Sequence, residues 1–117
     1  MQLTEVTFEG QLPVDAYGPG YFRIDDQVHE GALLLHVDGV QSWAGFDDLS
    51  LIEAAAGSFD ILFVGTGAEI GPLPAKVKAQ FAEKNIAAEV MATPSACRTY
   101  NILLSEGRRV ALAALPV

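Results

Sequence analysis

The sequence predicts an α/β fold with a β-rich N-terminal part and a mixed central sheet. Three observations carry that expectation. The first third of the chain is a series of short β-prone runs separated by turn residues. Residues 61–115 then alternate apolar runs of strand length with amphipathic runs of helix length. Half of the 117 residues are hydrophobic, enough for one domain spanning residues 1–117 to build a core without disulfide or metal.

The elements come in this order along the chain. Thr4 to Phe8 is a short β-prone run. Val14 to Gly20 ends in Gly18-Pro19-Gly20, a turn cluster. Tyr21 to Ile24 reads as a strand, Asp25-Asp26-Gln27 as a turn, and Ala32 to Val37 as a strand. Asp38-Gly39 makes another turn before Val40 to Trp43. These strands are expected to be antiparallel, since so few residues join them. Asp47 or Asp48 can cap a helix that runs to Ala56 and stops at Gly57. Ile61 to Val64 is continuously apolar, as a strand buried on both faces requires. Pro74 suits a first helical position in a helix running to Asn85, with Leu73, Val77 and Phe81 as its core stripe. Ala87 to Met91 is the next strand, and Thr93 is placed to cap a helix from Pro94 that ends before Gly107. Val110 to Leu115 closes the chain as a strand. Strand, helix, strand, helix, strand over this half implies parallel neighbours with right-handed crossovers.

Charge excludes some functions. The net charge is −8. Residues 1–60 hold eleven acids against one base, Arg23, whereas residues 61–117 hold four acids against six bases. Nucleic-acid binding needs basic surface to displace condensed counterions, so nucleic acid is not an expected partner. Anionic membranes are disfavoured for the same reason. No apolar run approaches the roughly 18–20 residues that cross a bilayer, so direct membrane insertion is not expected. Met1 to Gly10 has two acids and no base, unlike a signal or transit peptide. A cytoplasmic protein is the expectation.

Metal and cofactor motifs are missing. The single cysteine, Cys97, precludes an intrachain disulfide and a Cys₄ or Cys₂His₂ site. There is no His-x-x-x-His and no EF-hand loop. Asp25-Asp26 and Asp47-Asp48 suit turns and caps. Ser42 and Ser95 lack the setting of a nucleophile elbow. Trp43 and Phe46 either plug the core or, if exposed, anchor a partner. No cofactor or metal is therefore expected.

Two segments remain as candidates. Gly65-Thr66-Gly67 comes directly after a buried strand, where open α/β sheets bind ligands beyond the strand ends. It is neither a dinucleotide fingerprint, since residue 70 is Ile70, nor a P-loop. A tight strand-to-loop turn is the alternative. The second segment is the start of the last helix. Its free N–H groups favour an anion, and Arg98 in its first turn opposes the helix dipole. Arg98 is either a donor fork for a carboxylate or phosphate, or one half of an internal salt bridge. On a helical wheel Ala96, Cys97, Tyr100, Leu103 and Leu104 share one arc, opposite Arg98, Asn101 and Ser105. Cys97 at the edge of the apolar arc reads as a small core residue, because a nucleophilic thiolate needs a base that nothing in the sequence brings near.

The run Ala96-Cys97-Arg98-Thr99-Tyr100-Asn101, followed by Leu103-Leu104 and Glu106-Gly107-Arg108-Arg109-Val110, carries a resemblance. With Tyr17-Gly18-Pro19-Gly20, Trp43 and Phe63-Val64-Gly65-Thr66-Gly67, it resembles the family of small domains that includes mitochondrial respiratory complex I assembly factor 3 and bacterial and archaeal relatives. The resemblance covers nearly the whole chain. It implies a three-layer α/β fold with a mixed sheet and helices from the C-terminal half, and no established enzymatic activity. In the mitochondrial branch it implies assembly of NADH dehydrogenase through protein contacts. The N-terminal composition points to a bacterial-type member. That family often has a glycine early in the last helix, where this chain has Pro94-Ser95.

Residues and resemblance converge on one expected cleft. Gly65, Thr66, Gly67, Thr93 and Arg98 would line it at the carboxyl edge of the sheet, with Thr99 and Asn101 in support and the Tyr100 ring in the core. The expected function is a non-catalytic binding or assembly protein with a protein partner. The competing readings are a small-molecule or anion-binding protein or enzyme at that cleft, and a homo-oligomer whose groove is a self-interface.

Overall fold

The computed structural model describes residues 11–117; the Thr4 to Phe8 run lies outside the described residues. Five strands form the central sheet in the order β5-β4-β8-β6-β7. They are β4 (Leu33–His36), β5 (Gly39–Ser42), β6 (Ile61–Thr66), β7 (Ala88–Met91) and β8 (Val110–Leu115). β6 pairs parallel with both β7 and β8, and β4 pairs antiparallel with β5 and β8. The sheet is therefore mixed, as expected, and its parallel part comes from the strand–helix alternation.

The N-terminal strands divide differently from expectation. β1 (Ala16–Gly18), β2 (Tyr21–Ile24) and β3 (Gln27–Glu30) form a separate antiparallel sheet of three strands. In the sequence β1 reads only as part of a turn cluster. β3 escapes sequence reading because Gln27 to Glu30 is mostly polar, and most of it is exposed. Asp25 and Asp26 link β2 to β3 with φ of 52° and 65°, the positive values that a two-residue hairpin turn requires.

Alternation along the central strands sorts their side chains onto two cores. Leu34, Leu62, Val64, Ala111 and Ala113 face α1 (Ser50–Ala55) and α2 (Ala75–Glu83) through Ile52, Val77 and Phe81. Leu33, Leu35, Phe63, Leu112 and Ala114 face α3 (Thr93–Ser105) and the small sheet through Ala96, Cys97, Tyr100, Phe22 and Ile24. The result is three layers. Trp43 belongs to the first core, its ring 5.4 Å from that of Phe46 in a T-shaped contact, with Nε1 donating to the Asp48 carbonyl. Trp43 thus plugs the core.

Helix ends depart from the sequence reading in several places. α1 begins at Ser50, two residues after the expected cap, because Asp48 Oδ1 accepts from the Ser50 amide and a 3₁₀ turn at Gly45–Asp47 precedes it. A second 3₁₀ turn, Ala56–Ser58, carries the chain through Gly57 instead of stopping there. Thr93 lies inside α3, and Ala92 is the flanking residue, since the Thr93 hydroxyl is engaged elsewhere. Pro74 flanks α2 instead of opening it. Among the described residues no helix is long and apolar enough to cross a membrane.

Candidate functional site

β6 and β7 are parallel neighbours, so the loops leaving their carboxyl ends open on one rim. There the two segments singled out in the sequence meet. The Gly67 amide donates to Thr93 Oγ1 at 2.9 Å, and the Thr93 amide donates to the Gly67 carbonyl at 2.8 Å. The same hydroxyl donates to the Leu115 carbonyl at 2.7 Å. Thr93, fully buried, thereby ties the ends of β6 and β8 to the start of α3.

This explains Gly65. A Cβ there would lie 2.6 Å from Thr93 Oγ1 and 2.9 Å from Thr93 Cα, which requires backbone to move. Gly67 has φ of 107°, a conformation suited to glycine. Glycine at both positions thus permits close packing against α3. The amide of Gly67 serves the fold and is not held open for a ligand.

Thr66 shapes the loop that leaves β6. Its Oγ1 accepts from the Gly71 amide at 2.9 Å and lies 2.9 Å from the Glu69 carbonyl. The loop is thereby drawn into a hoop, and its far side, Ile70 to Leu73, forms one wall of an apolar groove.

Arg98 lies apart from that hoop. It is exposed on α3 and shares a recess of about 260 Å³ with Val14, Asp15, Ala16, Tyr17, Pro94, Cys97 and Asn101. None of the residues 65–67 lines this recess. The structure therefore does not bring residues 65–67 and Arg98 into one recess: Thr93 is bonded to the Gly67 loop and the end of β8, while Arg98, one turn further along α3, lies beside the segment at Val14 to Tyr17. Among the described residues no acid lies within 4.0 Å of the Arg98 guanidinium, the one ion pair being Arg109 with Asp60.

Asn101 and Tyr100 act on the chain's own N-terminal segment. Asn101 Oδ1 accepts from the Val14 amide and its Nδ2 donates to the Val14 carbonyl, both at 2.8 Å. Tyr100 donates its hydroxyl proton to the Leu12 carbonyl at 2.8 Å and accepts from Gln11. Thr99, half-buried, lies beside them on α3. Burial pushes the Cys97 thiol up to about 12 and also raises the Tyr100 phenol. Neither is ionised near neutral pH, so neither is poised for nucleophilic or base chemistry.

Sequence reasoning missed a second concavity, larger than the Arg98 recess. A groove of about 650 Å³ lies between α2, β7 and the hoop. Ile70, Leu73, Phe81, Ile86 and Val90 supply most of its apolar wall, and Lys78 is its one charged lining residue. It exists because α2 buries only Val77 and Phe81, while Gly71, Ala82 and Ala88 are too small to close the gap. Val77 and Phe81 were legible as a stripe. The space beside them was not, since it depends on β7 being the sheet's edge.

Comparison with known proteins agrees with this architecture. The chain is 50% identical over 97% of its length to an uncharacterized protein of Rhodobacter capsulatus, covering 91% of that protein. It is 32% identical over 86% of its length to NADH dehydrogenase [ubiquinone] 1 alpha subcomplex assembly factor 3 of Danio rerio, of which it spans only 62%. Its fold matches the crystal structure of a protein from Bartonella henselae described as an outer membrane protein, with TM-score 0.85, 34% identity, and coverage of 94% of this chain and 98% of that one. It also matches a Mth938-like domain of Bordetella pertussis solved in solution, with TM-score 0.76, 29% identity, and coverage of 99% and 91%. Since residues 14–115 match it from β1 to β8, the chain belongs to the family described as protein of unknown function (DUF498/DUF598).

Proposed function

We propose that this chain is a non-catalytic binding protein that assists assembly of a respiratory NADH dehydrogenase, or another membrane complex, through protein contacts in the cytoplasm. The observation that carries the reading is the similarity to an assembly factor along 86% of the chain. The geometry agrees with it. The polar groups at the sheet's carboxyl edge are spent on one another, and the thiol that a covalent mechanism would use is buried and protonated. The acidic first half adds a field that steers a basic partner. Affinity purification of the tagged chain from its own host tests the proposal. Subunits of NADH dehydrogenase should co-purify, and recovery of no specific protein counts against it.

A second reading rests on the Arg98 recess. There an exposed guanidinium without an acid partner among the described residues would hold a small anion. Gly65, Thr66, Gly67, Thr93, Thr99 and Asn101 then position α3 beneath it. Calorimetric titration with inorganic phosphate and with acetate distinguishes the readings: heat that vanishes in Arg98→Ala favours the anion site.

A further inference from the structure

We propose that the outer edge of β7, which has no strand partner among the described residues, and the adjoining groove form a docking site for an extended peptide segment of a partner protein. The segment would add as a sixth strand, with apolar side chains at alternate positions and a carboxylate beside them. This rests on the protein-binding reading above and names its surface.

The ladder defines the edge. Leu62 pairs with Ala88 and Val64 with Val90, and the Leu62 amide donates to the Ala87 carbonyl at 2.8 Å. In a parallel ladder each residue bonds to the two neighbours of its partner. Residues 87, 89 and 91 therefore turn their bonding groups toward β6. The N–H and C=O groups of Ala88 and Val90 point the other way, where β7 has no strand partner among the described residues. An unprotected edge of this kind is a template for strand addition.

The groove supplies selectivity. The side chains of Ala88 and Val90 face it, while Glu89 alternates to the opposite face. A strand laid along β7 would place every second side chain between Phe81, Ile86 and the hoop at Ile70, which is 67% exposed. The volume of about 650 Å³ lies within the range of about 300–1,000 Å³ of ligand-binding pockets. Charge selects the segment's polar part. Lys78 is the charged residue that lines the groove; Lys76 and Lys84 stand nearby, Glu83 ends α2, Glu69 lies in the hoop, and Glu89 alternates to the other face of β7, so the selecting charge is that of Lys78. The opposite edge, β5, offers no such match, since its Gln41 and Ser42 are exposed and polar.

The probe is a display library of random nine-residue peptides, panned against the full chain. Selected peptides are then synthesised and titrated against the isotope-labelled protein by NMR. The expected peptides alternate apolar residues and carry an acid. They should shift the amide signals of Ala88 and Val90 most. N-methylation of the peptide's β7-facing amides should weaken binding at least about tenfold. Lys78→Glu should weaken it roughly tenfold, and Arg98→Glu should not weaken it. Failure to select any binder, selection at helical i, i+4 spacing, or shifts centred on the Arg98 recess overturns the proposal. So does occupation of the edge by a second copy in sedimentation, by the chain's own Glu5 to Glu9, or by a long-chain carboxylate such as palmitate with no peptide selected. The purification above separates the two levels. If NADH dehydrogenase subunits co-purify equally with Ile70→Asp and Lys78→Glu, this surface is wrong and the assembly reading stands. If selected peptides bind here while no protein co-purifies, the docking surface stands and the assembly reading fails.

Discussion

The two faces of the central sheet are built on opposite plans. On the α3 face the polar groups of three helix residues are engaged within the fold: Thr93 ties the strand ends to α3, Asn101 holds Val14, and Tyr100 holds Leu12. On the α2 face a helix with two buried residues leaves an apolar groove open beside β7, which has one strand neighbour among the described residues. The sequence motif that looks most functional, the glycine loop with the Arg-Thr-Tyr-Asn run, serves mainly the closed face. A motif rich in Gly, Thr and Asn can mark tight construction as readily as a ligand site.

If the closed face depends on close packing, Gly65→Ala should be the most damaging substitution. Its Cβ would meet Thr93 backbone at 2.9 Å, and over-packing of this kind costs about 3 kcal/mol. Denaturant unfolding would show it, and a loss under about 1 kcal/mol would mean the rim is loose. Thr93→Val keeps the shape but strands the Gly67 amide and the Leu115 carbonyl. A loss of about 2–3 kcal/mol is expected by the same measurement. Asn101→Ala frees two groups of Val14 that solvent partly reaches, so about 1–2 kcal/mol is expected. Faster hydrogen exchange near Val14 should accompany it.

The closed face also has a pH signature. The Cys97 thiol ionises near its ordinary 9.0 when unfolded and near 12 when buried. Above pH 9 the unfolded chain binds fewer protons than the native one. Stability is therefore complete below pH 9 and declines as pH rises toward 12, by about 1 kcal/mol at pH 10. The raised Tyr100 phenol adds loss in the same direction at higher pH. Urea unfolding from pH 8 to pH 10 checks the slope, which Cys97→Ala should flatten. On the open face Ile70→Asp should change stability least, within about 0.5 kcal/mol. Its side chain is 67% exposed. A large loss there would mean that the groove is core and not a surface.

Much of the fold is legible in the residues alone. Ile61 to Val64, Val77 with Phe81, and Val110 to Leu115 announce their elements because burial imposes a period that apolar residues must obey. The arc of Ala96, Cys97 and Tyr100 reads correctly as core. Asn101 reads as part of the outer arc, opposite the core, whereas it is half-buried against the N-terminal segment. That it clasps a segment 87 residues away cannot be read from spacing, although a mid-helix asparagine, a weak helix former, is a hint.

The sequence by itself determined the set of elements and the identity of their buried faces, because local periodicity and turn chemistry dictate both. Tertiary structure alone decided which strand is an edge, which helix leaves a gap, and that Thr93 binds the Gly67 loop while the recess at Arg98 excludes it. Those outcomes depend on strand order and on contacts between distant segments, and no local pattern encodes either.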